Sequence, residues 1–207
     1  MATNTNNPFG FRQISGRGSS PTYEQARGNI AYNTAAIYRG DPVQTLTDGT
    51  LAGNTTGNIG GGAAGVAVIA GIFSGCAYLS ASQGSLVWSN YWPGSDVNSG
   101  NVVTAYYIND PNAIFEVQVG NSSSVGVTVG NIGNNIQFLY GTGSQTVGGQ
   151  SGAYVDVGNM ATTSTLPFRI VGTVTNPPGA NGTNANQYNW ITVAFNNVET
   201  RSLAGPG

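Results

Sequence analysis

The side chains best able to do chemistry in this chain are carboxylates and aromatics. Asp110 and Glu116 lie in TAYYINDPNAIFEVQVG (residues 104–120), and Asp96 and Asp156 add further acids. Glycoside hydrolysis needs two carboxyl groups roughly 5–10 Å apart across a cleft. A sugar cleft would also want aromatic platforms, and VWSNYWPG (residues 87–94) supplies Trp88, Tyr91 and Trp92. The same rings could bind a sugar without catalysis, or form core and rim, since an indole with one polar edge suits half-buried positions.

The local pattern offers the acids a simpler role. Proline presets φ and Asp and Asn side chains bond to nearby backbone, so Asp110-Pro111-Asn112 reads as a turn. In the strand after it, Phe115, Val117 and Val119 face one way and Ile114, Glu116 and Gln118 the other. The stretch is therefore expected to be a hairpin or strand corner, with Asp110 as turn former and Glu116 as a rim residue.

Missing residue types exclude more than the present ones suggest. The chain has no histidine, which removes Ser-His-Asp triads, histidine bases and histidine metal sites. It has no lysine, which removes Walker A chemistry, Schiff bases and Ser-Lys dyads. Cys76 is the single cysteine, so an intrachain disulfide and a cysteine zinc site are also out of reach. No cofactor or metal site is expected, and the reading is that the chain is not an enzyme.

Charged residues make up only 7% of the 207 residues, far below the usual ~25% of a soluble domain. With 32 glycines and many Asn, Ser and Thr, solubility must come from neutral polar groups. Charge is also uneven. Residues 1–40 hold four arginines against one glutamate, a net +3, and the remainder holds two arginines against seven acids, a net −5. That is a basic arm on an acidic body. Four arginines spread over forty residues are too sparse for a nucleic-acid footprint, which needs a clustered patch. An acidic protein surface fits them better.

The elements that must position these residues are strands. Residues 1–28 have scattered anchors (Phe9, Phe11, Ile14, Tyr23) and no helical period, and read as an extended arm. The body, 29–207, begins with two short strands split by the turn Gly40-Asp41-Pro42. Further strand candidates lie near 66–73, 76–80, 85–89, 102–108, 113–119, 124–130, 135–140, 153–157, 167–175 and 189–196, with long loops at 51–65 and 176–188. VGVTV is expected to place Val125, Val127 and Val129 on one face. Many short alternating strands with regular turn signals predict an all-β fold, an antiparallel sandwich or barrel carrying the arm. No repeat of fixed period is visible, which argues against a solenoid or propeller.

Two further signals carry little. GGGAAG (residues 60–65) matches G-x-G-x-x-G, but the residues after it are strand-like and no acid stands between Asp48 and Asp96. The apolar window 63–79 is shorter than a membrane helix and reads as a buried strand pair. MATNTNNPFG has no apolar h-region, so no secretory signal is expected, and the Asn-x-Ser/Thr sequons at Asn54, Asn121 and Asn181 mark polar loops. The expectation is a soluble chain made in a reducing cytoplasm, without a membrane.

Five blocks resemble the head decoration (cement) proteins of tailed phages. They are NPFGFRQISGRGSSPTY, IYRGDPVQTLTDG, IAGIFSGCAYLSASQGSLVWSNYWPG, AYYINDPNAIFEVQVG, and FRIVGTVTNPPG with NWITVAFNNVE. They succeed one another over nearly the whole chain. TNPPGANG replaces an acidic loop of that family, so loop-level contacts do not carry over. The resemblance implies a non-enzymatic protein on the outer capsid surface, made in the host cytoplasm and bound in many copies to the major capsid protein. On this reading Phe9 and Phe11 fill coat pockets while Arg12, Arg17, Arg27 and Arg39 meet coat carboxylates. The body would self-associate, as a homotrimer or a dimer, so that several arms bridge capsomers. Removing residues 2–20 should then leave a folded body that no longer binds. The alternative is a receptor- or carbohydrate-binding module of a tail fibre or spike, with Trp88, Tyr91 and Trp92 as its surface.

Overall fold

The computed structural model describes residues 4–16, 24–30, 34–45, 50–53, 68–120, 125–178 and 181–201. It is all-β, and among the described residues no helix is long and apolar enough to cross a membrane. The first half holds β1 (Arg12–Ser15), β2 (Ala26–Ile30), β3 (Ile37–Tyr38), β4 (Pro42–Thr45), β5 (Thr50–Gly53), β6 (Gly71–Leu79), β7 (Leu86–Ser89), β8 (Tyr91–Trp92) and β9 (Val103–Ile108). The second holds β10 (Ile114–Gly120), β11 (Asn135–Leu139), β12 (Tyr154–Ala161), β13 (Phe168–Thr173) and β14 (Trp190–Phe195).

Ten of these strands close into two rings, and β3 and β8 pair with each other as a separate two-stranded ribbon. The first runs β2-β9-β6-β4-β5 and returns to β2, with β7 on the edge of β6. The second runs β10-β14-β13-β11-β12 and returns to β10, with β1 on the edge of β10. Closure removes the exposed edges that an open sheet would leave to aggregate, a need that is acute in a chain with few edge charges. Each ring has its own core. Ile30, Val43, Phe73, Trp92, Val103 and Ala105 fill the first, and Phe115, Val117, Phe138, Val155, Phe168 and Val193 the second.

The second ring repeats the wiring of the first. Taken in chain order, both pair their first strand antiparallel with the last and parallel with the third, which are β2–β5 and β10–β12. Registers correspond as well. Thr45 faces Leu51 as Phe138 faces Val155, and Val43 faces Gly71 as Ile136 faces Phe168. Tyr107 faces Phe73 as Val193 faces Ile170, and in both rings a bulge comes at once, with Gly75 and Gly172 after it. Insertions of unequal length between the strands keep this repeat from showing any fixed period in the sequence.

Two expectations change and one narrows. Of the two forms expected for Asp110-Pro111-Asn112 the hairpin is excluded and the strand corner stands: β9 belongs to the first ring and β10 to the second, so this turn links the two. Asp110 accepts the Asn112 backbone N–H at 2.9 Å, as a turn aspartate should. The candidates 66–73 and 76–80 instead give one strand, β6, bent by its bulge, with residues 66–67 outside the described set. VGVTV is not a strand with three valines on one face, because Val127 is buried while Val125 and Val129 are exposed. The reason is Asn189, whose amide accepts the Val127 N–H (3.1 Å) and donates to its carbonyl (2.8 Å) in place of a strand partner. Thr128 then starts a 3-10 turn at Val129–Asn131.

The largest correction concerns the arm. Its described residues are built into the body rather than extended from it. β1 pairs with β10, β2 is a ring strand, and Phe11 is 4% exposed in the second core. The Phe11 ring stacks on Phe168 at 4.4 Å and meets Phe115 and Phe138 edge-on. Phe9 is half-buried, edge-on to Trp190 at 5.4 Å. Further upstream, Asn4 donates to the carbonyls of Asn184 and Gln187 and accepts the Gly182 N–H, which ties the 176–188 loop down. Hydrophobic burial outweighs the freedom an arm would keep, because two nearby aromatics have apolar sites within reach. Arg17 lies outside the described residues, as do residues 54–65 of the long loop expected at 51–65.

The rings meet along a seam centred on Gly40 and Asp41. Gly40 accepts the Phe11 N–H (3.0 Å) and donates to the Phe73 carbonyl (2.9 Å). Its φ of +96° and the 3.0 Å separation of a built Cβ from the Phe11 nitrogen both require glycine. Asp41 accepts the Tyr38 N–H (2.7 Å) and the Ser151 hydroxyl (2.5 Å). A second contact joins the chain's end to the first ring, where Glu199 accepts the N–H and hydroxyl of Thr45 at 2.9 and 2.8 Å.

The seam can be tested by truncation and by titration. Phe11→Ala should lower unfolding stability by about 3–5 kcal/mol in chemical denaturation, as for other buried phenylalanines. Deleting residues 2–20 should unfold the second ring, and a cooperative, fully stable deletion variant would overturn the seam. The titration concerns Asp41. Burial pushes its carboxyl up from 3.8 to about 6, against its two hydrogen bonds. An acid whose folded pKa is raised stabilises the fold most below its unfolded pKa, so stability should fall as pH rises from about 4 to about 6 and stay level above. At about 1.4 kcal/mol per pH unit the loss is of order 2–3 kcal/mol. Asp41→Asn keeps an acceptor for Tyr38 and should cancel that fall. Parallel stability–pH curves for the two proteins would refute the assignment.

Candidate functional site

The outer face of the first ring carries a group of aromatic and basic side chains, Trp88 and Arg27 exposed and Tyr106 half-buried. Its frame is the β2–β9–β6–β7 sheet. Arg27 on β2 lies opposite Tyr106 on β9, and Tyr106 lies opposite Gly75 on β6. Trp88 on β7 stands opposite Ala77, on the same side of the sheet as the facing pair Leu79 and Leu86. Gly75 is the residue after the bulge, at φ +157°, and a Cβ there would come within 2.8 Å of the Ser89 carbonyl oxygen. The missing side chain lets β7 close in and leaves room for Trp88 to stack on Tyr106 at 5.5 Å, with the ring planes 21° apart. The Arg27 guanidinium lies 5.6 Å from the Tyr106 centroid, completing a cation–aromatic–aromatic ladder.

The three aromatics expected to form one surface are split. Trp88 is 68% exposed, whereas Trp92 is wholly buried in the first core, edge-on to Tyr78 and donating its indole N–H to Thr34 at 3.0 Å. Adjacent residues of a strand point to opposite faces, so Tyr91 and Trp92 on β8 cannot share one. Tyr91 is half-buried and stacks on Tyr38 at 6.1 Å. Trp92 is therefore a core residue, not part of a ligand surface. The partners of Trp88 that sequence reading missed are Tyr106 and Arg27. TAYYI marks Tyr106 as a strand residue, but nothing local shows which strands lie beside it.

A cleft runs from this ladder toward β1. One lobe, about 310 Å³, is lined by Trp88, Tyr106, Ser89 and Cys76, and the other, about 650 Å³, by Phe9, Arg12, Arg39 and Gln150. Both lobes share Gln25, Ser74 and Asn90, so they adjoin across these side chains. Gln25 donates to the Ser74 hydroxyl at 2.7 Å across the junction. The Arg12 guanidinium sits 4.6 Å over the Phe9 ring and 3.7 Å from Glu116. Arg39 is exposed, but its backbone is pinned by bonds to Gly149 (2.9 Å) and Ser151 (3.1 Å). Burial pushes the Cys76 thiol up to about 12, so it contributes bulk rather than a nucleophile.

The acids considered for catalysis each hold local structure. Asp96 accepts from the Ser80 hydroxyl (2.6 Å) and the Ser82 N–H (2.9 Å), and these bonds hold its carboxyl below the usual carboxylate range. Asp156 is buried and accepts from Gly158 and Asn159. Glu116 faces Arg12, and Asp110 closes the turn between the rings.

A second exposed feature sits on the second ring. Val125, Val129 and Ile132 are 59%, 71% and 43% exposed along the link from β10 to β11. Val171 is 42% exposed on β13, the strand to which Gly133 ties this link by donating to the Ile170 carbonyl at 3.0 Å. No protein-family model, curated protein or solved structure matches this chain.

Proposed function

We propose that this chain is a structural head decoration protein of a tailed phage, bound in many copies to the outer surface of the major capsid protein lattice. The support is the ordered resemblance of its five sequence blocks, together with one feature of the surface. That feature is the set of exposed aliphatic side chains Val125, Val129 and Ile132, close together in the link from β10 to β11, with Val171 on β13, which the Gly133–Ile170 bond ties to that link. Clustered exposed apolar side chains mark interaction sites more often than scattered ones do.

The docking mechanism differs from that of a free arm. Phe11 serves the core and Phe9 packs on Trp190, so neither is available to fill a coat pocket. The aliphatic cluster replaces them as the contact face. Arg12, Arg27 and Arg39 remain exposed elsewhere on the molecule, with no role in this contact. Self-association, as a homotrimer or a dimer, would multiply a modest single contact by about 10²–10⁴ through avidity. The function needs no catalytic group, cofactor, nucleic acid or membrane.

The test is the copy number of this protein relative to the major capsid protein in purified particles, by quantitative mass spectrometry. A ratio near one per coat subunit is expected, and a handful of copies per particle would place the protein in the tail and overturn the reading. Val129→Asp with Ile132→Asp should weaken capsid binding about tenfold or more, with the melting temperature nearly unchanged. Asp110→Asn and Glu116→Gln should leave binding intact.

A further inference from the structure

We propose that the cleft running from the first ring to β1 is a binding site for an acidic oligosaccharide, with a sugar ring stacked on Trp88 and a sugar carboxylate held by Arg39 and Arg12. This site is separate from the capsid-docking face, whose residues Val125, Val129, Ile132 and Val171 line neither lobe.

The aromatic end supplies the first observation. Tryptophan is seldom left 68% exposed, and here it is held rather than loose, with one face on Tyr106 and Arg27 behind. Its other face is open. A preorganised indole loses little freedom when a ligand stacks on it. The apolar C–H face of a pyranose is a flat partner of the right size.

The middle of the cleft favours sugar over peptide. Gln25, Ser74, Ser89 and Asn90 each carry both a donor and an acceptor. Sugar hydroxyls also donate and accept, so every one of these groups can be paired. A peptide strand would pair with the backbone edge of β7 and leave these side chains unused, and an amphipathic helix would need a continuous apolar groove, which Gln25, Ser74 and Asn90 interrupt. At the far end stand two guanidiniums. Arg39 rises from a pinned backbone, and Arg12 is 60% exposed and only loosely engaged by Glu116 at 3.7 Å. Guanidinium groups match carboxylate geometry. A single lobe of about 310 Å³ suits one sugar unit, and the adjoining second lobe of about 650 Å³ has room for more.

The repeated wiring supplies a control within the molecule. The positions of the second ring that correspond in register to Arg27, Tyr106 and Gly75 are Glu116, Thr192 and Gly172. The bulge and its glycine recur, but the guanidinium and the phenol do not. The backbone therefore does not demand the ladder, and its residues are free to answer to a ligand.

The experiment is calorimetric titration of the full chain with three probes: a galacturonic acid hexasaccharide, the same hexasaccharide methyl-esterified, and a hexaglutamate peptide. The acidic sugar should bind more tightly than the ester, and the peptide should not bind. Trp88→Ala should weaken both sugars about tenfold. Arg39→Gln should bring the acidic sugar down to the affinity of the ester. Thermal melts confirm that each variant folds, since both side chains are exposed. Failure of the acidic sugar to bind at millimolar concentration, unchanged binding by Trp88→Ala, or binding of the peptide in preference to the sugars would each overturn the site. Capsid binding of Trp88→Ala, measured in parallel, should be normal, so loss of this site and loss of the decoration reading are distinguishable.

Discussion

The structure depends on Phe11 being in two places at once. Its ring lies in the second core, stacked on Phe168, while its N–H bonds to Gly40 at the margin of the first ring. One residue thus joins an apolar core to a backbone turn. The glycine at position 40 permits the approach, and Asp41 next to it links Tyr38 on β3 to Ser151, just before β12 of the second ring. The seam is mostly backbone and neutral side chain. Burying a carboxylate there is costly, and the two hydrogen bonds it accepts make that burial tolerable without a cation.

The same economy of charge runs through the molecule. Where many proteins would use ion pairs, this one uses amides. Gln118 is 1% exposed, donates to the Thr5 and Tyr188 carbonyls and accepts the Asn7 N–H. Asn189 replaces a missing strand, and Asn4 clamps a long loop. An amide can donate and accept together, so a buried one can be fully satisfied without the desolvation cost of an ion. The ion pair Arg12–Glu116, by contrast, is long and half in solvent, a geometry worth little.

Two rings with one wiring have taken different surfaces. Both retain the antiparallel and parallel pairings, the registers and the bulge glycine, because these set closure and core packing. Outward-facing positions are free of that demand. The first ring carries the Arg27–Tyr106–Trp88 ladder, extended by β7, and the second carries β1, with Arg12 at the far end of the cleft, and several exposed aliphatic side chains.

The class of the fold and the narrow range of its chemistry were legible in the amino acids alone. Alternation of apolar side chains is a local property, so FEVQV and WITVAF declare their buried faces before any partner is known. The absence of histidine and lysine is equally plain. Whatever depends on which strands become neighbours was left to the assembled fold. Arg27, Tyr106 and Trp88 are far apart in the chain and meet only because β2, β9, β6 and β7 lie side by side. Trp92 looked like the companion of Trp88 until β8 turned it inward. Phe11 looked like a free anchor because its neighbours are polar and glycine-rich, and its pocket is built from residues more than a hundred positions away. Strand pairing is a long-range choice, made by closure of the rings and filling of their cores, and no local pattern contains it.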